Sequence, residues 1–227
     1  MSLKERLLDV RQNINKKSST ATLIAVSKYQ PVSKIKEFLS YHQTDFGENY
    51  IQELERKSKE LQGSDIKWHF IGKLQSNKLK SLAAIPNLKS IQTLEKLSHA
   101  KKLDELLTKQ LDIFIQINTS NEDNKGGLGN HSSELDDLIA FLKQSKHLNL
   151  IGLMTIGSLK ESTADSEVNN DFMRLVDTRN TLNQRHGLNL KLSMGMSADY
   201  IRALDYQSDF VRVGSLLFGE RPQKHEL

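Results

Sequence analysis

Eight short apolar runs, separated by longer stretches of helical periodicity, constrain this 227-residue chain more than any other feature. The runs cover 21–27, 44–47, 67–72, 88–92, 112–118, 148–156, 190–194 and 210–218 and are rich in β-branched residues. Helix-period segments lie between them near 32–41, 49–62, 76–84, 94–110, 132–146, 166–186 and 198–206. Leu3, Leu7, Val10 and Ile14 recur at helical spacing and predict one more helix ahead of the first strand. Strands joined through single helices pair in parallel by right-handed crossovers. Eight of them point to an α/β fold, a TIM-type (β/α)8 barrel with an extra N-terminal helix, rather than to an open sheet. No Pro/Gly/Ser-rich linker interrupts the rhythm, so residues 1–227 read as one domain.

Composition removes several function classes. With 37% hydrophobic and 26% charged residues the chain is globular, not disordered. It has no cysteine, which excludes thiolate nucleophiles, Cys-ligated zinc and disulfides, and fits a reducing compartment. A net charge of +4 is mild for this length, and the mixed-sign stretch 53–60 reads as a solvated helix face, not a nucleic-acid stripe. Lys4, Glu5, Arg6 and Asp9 break any signal-peptide core. The uncharged stretch 148–159 is too short to span a bilayer. The expectation is a cytoplasmic protein with neither a membrane nor a nucleic-acid partner. The ending Lys224-His225-Glu226-Leu227 resembles an ER-retention signal, but without a signal peptide it reads as chance.

A β/α barrel carries its chemistry at the carboxyl ends of the strands, with phosphate commonly bound after the seventh and eighth. Strand seven ends in Ser193-Met194-Gly195-Met196-Ser197, where Ser197 is a candidate N-cap for the next helix and Gly195 permits close backbone approach. Strand eight carries Arg212-Val213-Gly214-Ser215. Either segment alone reads equally as a cap or a tight strand end. Together, at the two places singled out by the fold, they suggest a phosphate site. Lys28 closes the first apolar run, Leu23-Ile24-Ala25-Val26-Ser27-Lys28. A lone lysine there would snorkel to solvent. Beside a phosphate site, a partly desolvated amine is what an aldehyde-bearing phosphate ester such as pyridoxal 5′-phosphate (PLP) requires.

Other polar residues have simpler readings. His69 fits a strand histidine satisfied inside the barrel. Glu48 is either a catalytic carboxylate or part of a strand end, and Asn49 lies near a helix cap. The segment Gln75-Ser76-Asn77-Lys78 meets a second phosphate or a partner, or simply begins a helix. The seven histidines show no metal-ligand spacing. The glycine-rich loop 121–130 reads as a functional or mobile βα loop.

Ala25-Val26-Ser27-Lys28 with Pro31, Phe46-Gly47-Glu48-Asn49-Tyr50 with Gln52-Glu53, and Trp68-His69-Phe70-Ile71-Gly72 with Leu74-Gln75-Ser76-Asn77-Lys78 resemble the YggS/PROSC family. So do Gly152-Leu153-Met154-Thr155-Ile156, Gly195-Met196-Ser197 with Asp199, and Arg212-Val213-Gly214-Ser215 with Phe218-Gly219. The similarity spans nearly the whole chain in order and spacing. Departures are small: Tyr29-Gln30, Lys73, Ser215 and Lys125-Gly126-Gly127 replace commoner residues.

The resemblance implies a barrel like the alanine racemase N-terminal domain, with PLP held as an aldimine on Lys28 and its phosphate near Ser197, Gly214 and Ser215. It places Arg212 opposite the pyridine nitrogen and Asn49 and Met154 close to the ring, and counts Met196 among the cofactor-binding residues. A protonated guanidinium donates to the ring nitrogen without readily protonating it, which weakens the ring as an electron sink. Racemases take a second acid–base group from an extra domain and a partner subunit, and have a histidine where Met154 stands. The chain ends soon after strand eight, so the expectation is a monomeric PLP carrier acting in PLP homeostasis, with apo PLP-dependent enzymes as recipients and little or no turnover. The alternatives are a PLP enzyme of weak racemase, transaminase or lyase activity, and a barrel aldolase whose Lys28 forms a Schiff base with a sugar phosphate.

Overall fold

The computed structural model describes residues 1–220. Local chemistry sets the first boundary. Helix α1 (Leu3–Lys17) opens on a capping box, in which the Ser2 hydroxyl accepts the Glu5 N–H at 3.1 Å and the Glu5 carboxylate accepts the Ser2 N–H at 2.6 Å. Lys16 and Lys17 in its last turn complement the helix dipole. Its apolar stripe, Leu7, Val10 and Ile14, is buried.

The alternation then begins: β1 (Thr22–Val26), α2 (Val32–Ser40), β2 (Asp45–Glu48), α3 (Ile51–Glu60) and β3 (Lys67–Phe70). A single 3-10 turn (Ser76–Lys78) runs into α4 (Leu79–Ala83), followed by β4 (Leu88–Leu94), α5 (Leu97–Leu106), β5 (Leu111–Gln116) and α6 (Ser133–Leu142). The last third holds β6 (Leu148–Met154), α7 (Leu159–Thr163), α8 (Asn170–His186), β7 (Lys191–Ser193), α9 (Tyr200–Asp205), β8 (Phe210–Val213) and α10 (Ser215–Phe218). Every strand pairs in parallel with its sequence neighbour, and β8 returns to β1, with Ala25 opposite Val213. Each of the eight apolar runs overlaps one strand of this closed barrel, and α1 is the additional helix that the sequence predicts.

Several boundaries differ from the sequence expectation. The fourth strand continues past Gln92 to Leu94, because Leu94 pairs with Ile115 and the Thr93 hydroxyl donates to the Gly72 carbonyl at 2.6 Å. The helix expected over 94–110 is correspondingly only α5. The run 210–218 is not one strand: it breaks at Gly214, and Ser215–Phe218 is helical. Apolar content alone does not separate a buried strand from a short buried helix. The segment 166–186 begins four residues late, where the Asn169 carboxamide accepts the Phe172 N–H at 3.0 Å and caps α8. Helix α7 has no counterpart in the sequence reading. The tetrapeptide Lys224–Leu227 lies outside the described residues.

Side chains alternate between two cores. On β2, Phe46 and Glu48 face the helix layer, where Phe46 packs on Trp68, while Asp45 and Gly47 face the barrel axis. The helix-side core contains Ile35, Phe38, Leu54, Leu79, Leu103, Leu138 and Leu175. The axis contains the polar column described next.

Candidate functional site

Inside the barrel, polar side chains from five strands, β2, β3, β4, β7 and β8, form a connected column. The Arg212 guanidinium, 3% exposed, donates to the Ser193 hydroxyl and to the Thr155 carbonyl, both at 2.8 Å. Ser193 donates to Gln92 Oε1 at 2.6 Å, and Gln92 reaches Ser90 at 3.5 Å. The Ser90 hydroxyl meets His69 Nδ1 at 2.6 Å, and His69 Nε2 meets Asp45 at 2.7 Å. His69 is therefore a satisfied interior histidine. Burial lowers the Arg212 pKa to about 10, opposed by the nearby Asp199 carboxylate, so the guanidinium stays charged at neutral pH. Sequence reasoning found Arg212 but missed Ser193 and Gln92 as its supports. The visible signal was a polar residue directly after a buried apolar one, Gln92 after Ile91 and Ser193 after Leu192.

Above Arg212 the ends of β7 and β8 form a shallow cradle. Gly195 has φ +98°, and a Cβ there would sit 2.5 Å from Ala203 Cβ, so only glycine lets β7 turn so tightly into α9. A Cβ on Gly214 would meet the Val26 carbonyl oxygen at 3.3 Å, which brings the strand-eight turn against the end of β1. The backbone N–H groups of Ser197, Ala198, Ser215 and Leu216 donate to no acceptor among the described residues. Ser197 is not the N-cap expected from sequence. Helix α9 starts later, at Tyr200, with Asp199 in the cap position and its carboxylate taking the Met196 N–H at 2.7 Å. Ser197 instead accepts the Gly214 N–H at 3.2 Å and ties the two strand ends together. Burial raises the Asp199 pKa.

The remaining expected residues lie at or just after the carboxyl ends of their strands. Ser215 is exposed, and Met196 is 37% exposed on the rim. Met154 is buried at the end of β6. Asn49 follows β2 without capping α3, whose cap position is Tyr50, and its Oδ1 is buried with no partner among the described residues. Lys28 is half-buried in the turn after β1 and keeps the strand parity of Ile24 and Val26, whose side chains close around Gly47 inside the barrel.

Behind that turn lies a charge cluster that corrects the reading of 53–60 as a solvated face. Lys57 is fully buried and donates to Glu48 at 2.6 Å, to Glu53 at 2.7 Å and to the Ser27 carbonyl at 2.7 Å. Burial pushes the Glu48 pKa up to about 7; Lys57 opposes the rise and Glu53 adds to it. Glu48 thus faces the helix layer and lies outside the barrel interior, where a catalytic carboxylate would be needed. An exposed face was inferred from mixed charge alone, and only packing of α3 on β1 and β2 reverses that.

The loop 121–130 is held to the strand ends. Leu128 N–H donates to the Gln116 carbonyl at 2.9 Å, Lys125 donates to the Gly157 carbonyl at 2.6 Å, and Glu95 accepts the Gly127 N–H. Gln75-Ser76-Asn77-Lys78 begins the turn into α4, and the Ser76 hydroxyl meets His99 at 2.9 Å.

The sequence signature of the family described as alanine racemase, N-terminal domain, matches residues 2–222. The pyridoxal phosphate homeostasis protein of Schizosaccharomyces pombe is 46% identical over 203 residues, covering 88% of this chain and 84% of that protein. PipY of Synechococcus elongatus, solved with PLP bound, superposes with a TM-score of 0.84 at 31% identity, over 96% of this chain and 100% of PipY. An alanine racemase of Clostridium difficile shares the fold, with a TM-score of 0.76 at 15% identity, and this chain covers 57% of it.

Proposed function

This chain belongs to the family of pyridoxal phosphate homeostasis proteins built on the alanine racemase N-terminal domain, and from that premise we propose that it binds PLP covalently on Lys28 and acts as a PLP carrier rather than an enzyme. The observation that carries the reading is the meeting of two features at one barrel mouth. Four backbone N–H groups at the ends of β7 and β8, unpaired among the described residues, suit a phosphate dianion. The lysine turn lies beside them, because β8 pairs with β1.

The donor set fits the cofactor. The N–H groups of Ser197, Ala198, Ser215 and Leu216, with the Ser197 and Ser215 hydroxyls, would receive the phosphate, and the glycines at 195 and 214 let backbone approach it. Arg212 has donor capacity beyond its two internal bonds and would face the pyridine nitrogen; with its pKa near 10 it keeps its own proton at pH 7. Met154 and Asn49 would flank the ring and Met196 would cover the rim. Bound PLP supplies a reactive aldehyde and an electron-withdrawing ring. An arginine at the ring nitrogen leaves that ring a weaker electron sink, which favours storage and delivery over carbanion chemistry.

In this reading the barrel works as one monomeric ligand-binding unit in the cytoplasm and delivers the cofactor to apo PLP-dependent enzymes. No described helix is long and apolar enough to cross a membrane. The test is an absorption spectrum of protein mixed with PLP, before and after borohydride, followed by peptide mapping. A visible band that collapses, with phosphopyridoxyl mass on the Lys28 peptide, is expected; no band and no adduct would remove PLP from the reading. Rapid racemisation of alanine or another common amino acid would overturn the carrier role.

A further inference from the structure

The backbone on either side of Lys28 is gripped by α3 and β2. Ser27 N–H donates to the Gly47 carbonyl at 3.0 Å, and the Ser27 hydroxyl donates to Glu48 at 2.7 Å. The Ser27 carbonyl accepts from Gln30 N–H at 3.0 Å and from Lys57 Nζ at 2.7 Å. On the other side, the Tyr29 N–H donates to Glu53 Oε1 at 2.7 Å. Tyr29 has φ +61°, a left-handed conformation that costs a non-glycine residue energy and persists only where its surroundings impose it. Its ring leans on Tyr50, centroids 5.1 Å apart. Ser27, Lys57 and Glu48 are fully buried, so the Ser27 side of this grip is screened from water, and the Tyr29–Glu53 bond is partly buried.

The Lys57–Glu48 ion pair alone would join α3 to β2. Two features exceed that. Three charged groups converge on the two residues that flank a single lysine, and one of them, Glu53, holds the strained peptide N–H directly. Lys57 also spends one of its three donors on the Ser27 backbone rather than on a carboxylate.

We propose that Glu53 and Lys57 are positioning residues that fix the Lys28 turn so that its amine meets an aldehyde seated in the phosphate cradle. The proposal rests on the PLP reading. To join PLP, the neutral Lys28 amine adds to the aldehyde carbon and water leaves; its rate depends on how often Nζ occupies the attacking position. The grip acts on that aim and leaves the cradle itself untouched, since the phosphate donors come from other strands.

The test compares Glu53→Ala, Glu53→Gln and wild type with two probes. PLP followed by borohydride reports covalent capture by Lys28. Pyridoxamine 5′-phosphate, which has no aldehyde, reports occupancy of the cradle alone. Glu53→Ala is expected to slow covalent capture by about tenfold to a hundredfold, with pyridoxamine phosphate affinity within about twofold of wild type. Glu53→Gln keeps an acceptor for the Tyr29 N–H and is expected to restore most of the rate. Equal capture rates in folded Glu53→Ala and wild type would overturn the proposal, as would a parallel fall in capture and pyridoxamine phosphate affinity. Amide exchange in unsubstituted protein gives a second measurement: slow exchange at Tyr29 supports the grip and unprotected exchange overturns it. If wild type binds pyridoxamine phosphate but captures no PLP on Lys28, or binds neither probe, the PLP reading itself has failed and the proposal falls with it.

Discussion

Arg212 and Ser193 lie on neighbouring strands, β8 and β7, and share a 2.8 Å hydrogen bond inside the barrel. Ser193 also donates to Gln92, so one hydroxyl joins the charged head of the column to its body. Ser193→Ala leaves a buried Gln92 oxygen and one Arg212 N–H without partners, a loss of about 1–3 kcal/mol. Urea unfolding is expected to register it, together with a shifted absorption maximum of the PLP-loaded protein as the guanidinium loosens. Unchanged stability and an unchanged spectrum would show that the column does not restrain Arg212.

The cradle predicts its own weakening. Hydrogen bonds to a charged group are worth about 1.5–3 kcal/mol each. Ser197→Ala with Ser215→Ala should therefore lower pyridoxamine phosphate affinity by about a hundredfold or more, measured by fluorescence titration. Ser197 is also tied to Gly214, so its removal should contribute the larger share. Affinity equal to wild type would mean that the phosphate binds elsewhere.

Glu48 should make stability depend on pH in an unusual direction. Its pKa rises from 4.5 to about 7 on folding, mainly through burial. Below 4.5 both folded and unfolded chains hold the proton; between 4.5 and 7 the folded chain alone holds it. The folded state then binds more protons, so this contribution is fully present at low pH and is lost as pH rises through 7. Denaturation from pH 4.5 to 8 should show wild type losing stability relative to Glu48→Gln across that window. A constant difference between the two would contradict the raised pKa.

Removing the cation should be far worse than removing one anion. Lys57→Met leaves two carboxylates facing each other in a water-excluded site, and breaking such a buried pair costs about 3–5 kcal/mol. Glu48→Gln leaves Lys57 balanced by Glu53 and removes the buried Glu48 charge, so it should be at least as stable as wild type at pH 8. Chemical denaturation of both variants at pH 8 measures the asymmetry; similar losses would show that the cluster's charges are not coupled.

Much of the barrel was legible because its signal is local. The eight apolar runs report which residues leave water, and each overlaps a strand. The capping box at Ser2 and Glu5 could be recognised from four consecutive residues. Boundaries were less legible where one run served two structures, as at Val213 and Leu217, which lie on either side of a glycine that changes strand into helix. The site was legible in its candidates but not in their roles. Ser197 in front of a helix looks like a cap, and only the approach of Gly214 shows its hydroxyl occupied across two strands.

By itself the sequence determined the βα rhythm, a lysine closing the first strand run, and glycine–serine endings on the last two. Periodicity is a property of adjacent residues and survives without knowledge of the whole. Only the tertiary structure decided that β8 closes on β1 and brings the cradle beside Lys28, that Lys57 is buried under that lysine's turn, and that Ser193 and Gln92 support Arg212. Each of these depends on what lies across a packed interface, and burial and pairing energies are set by partners that the chain supplies from about 20 to nearly 190 residues away.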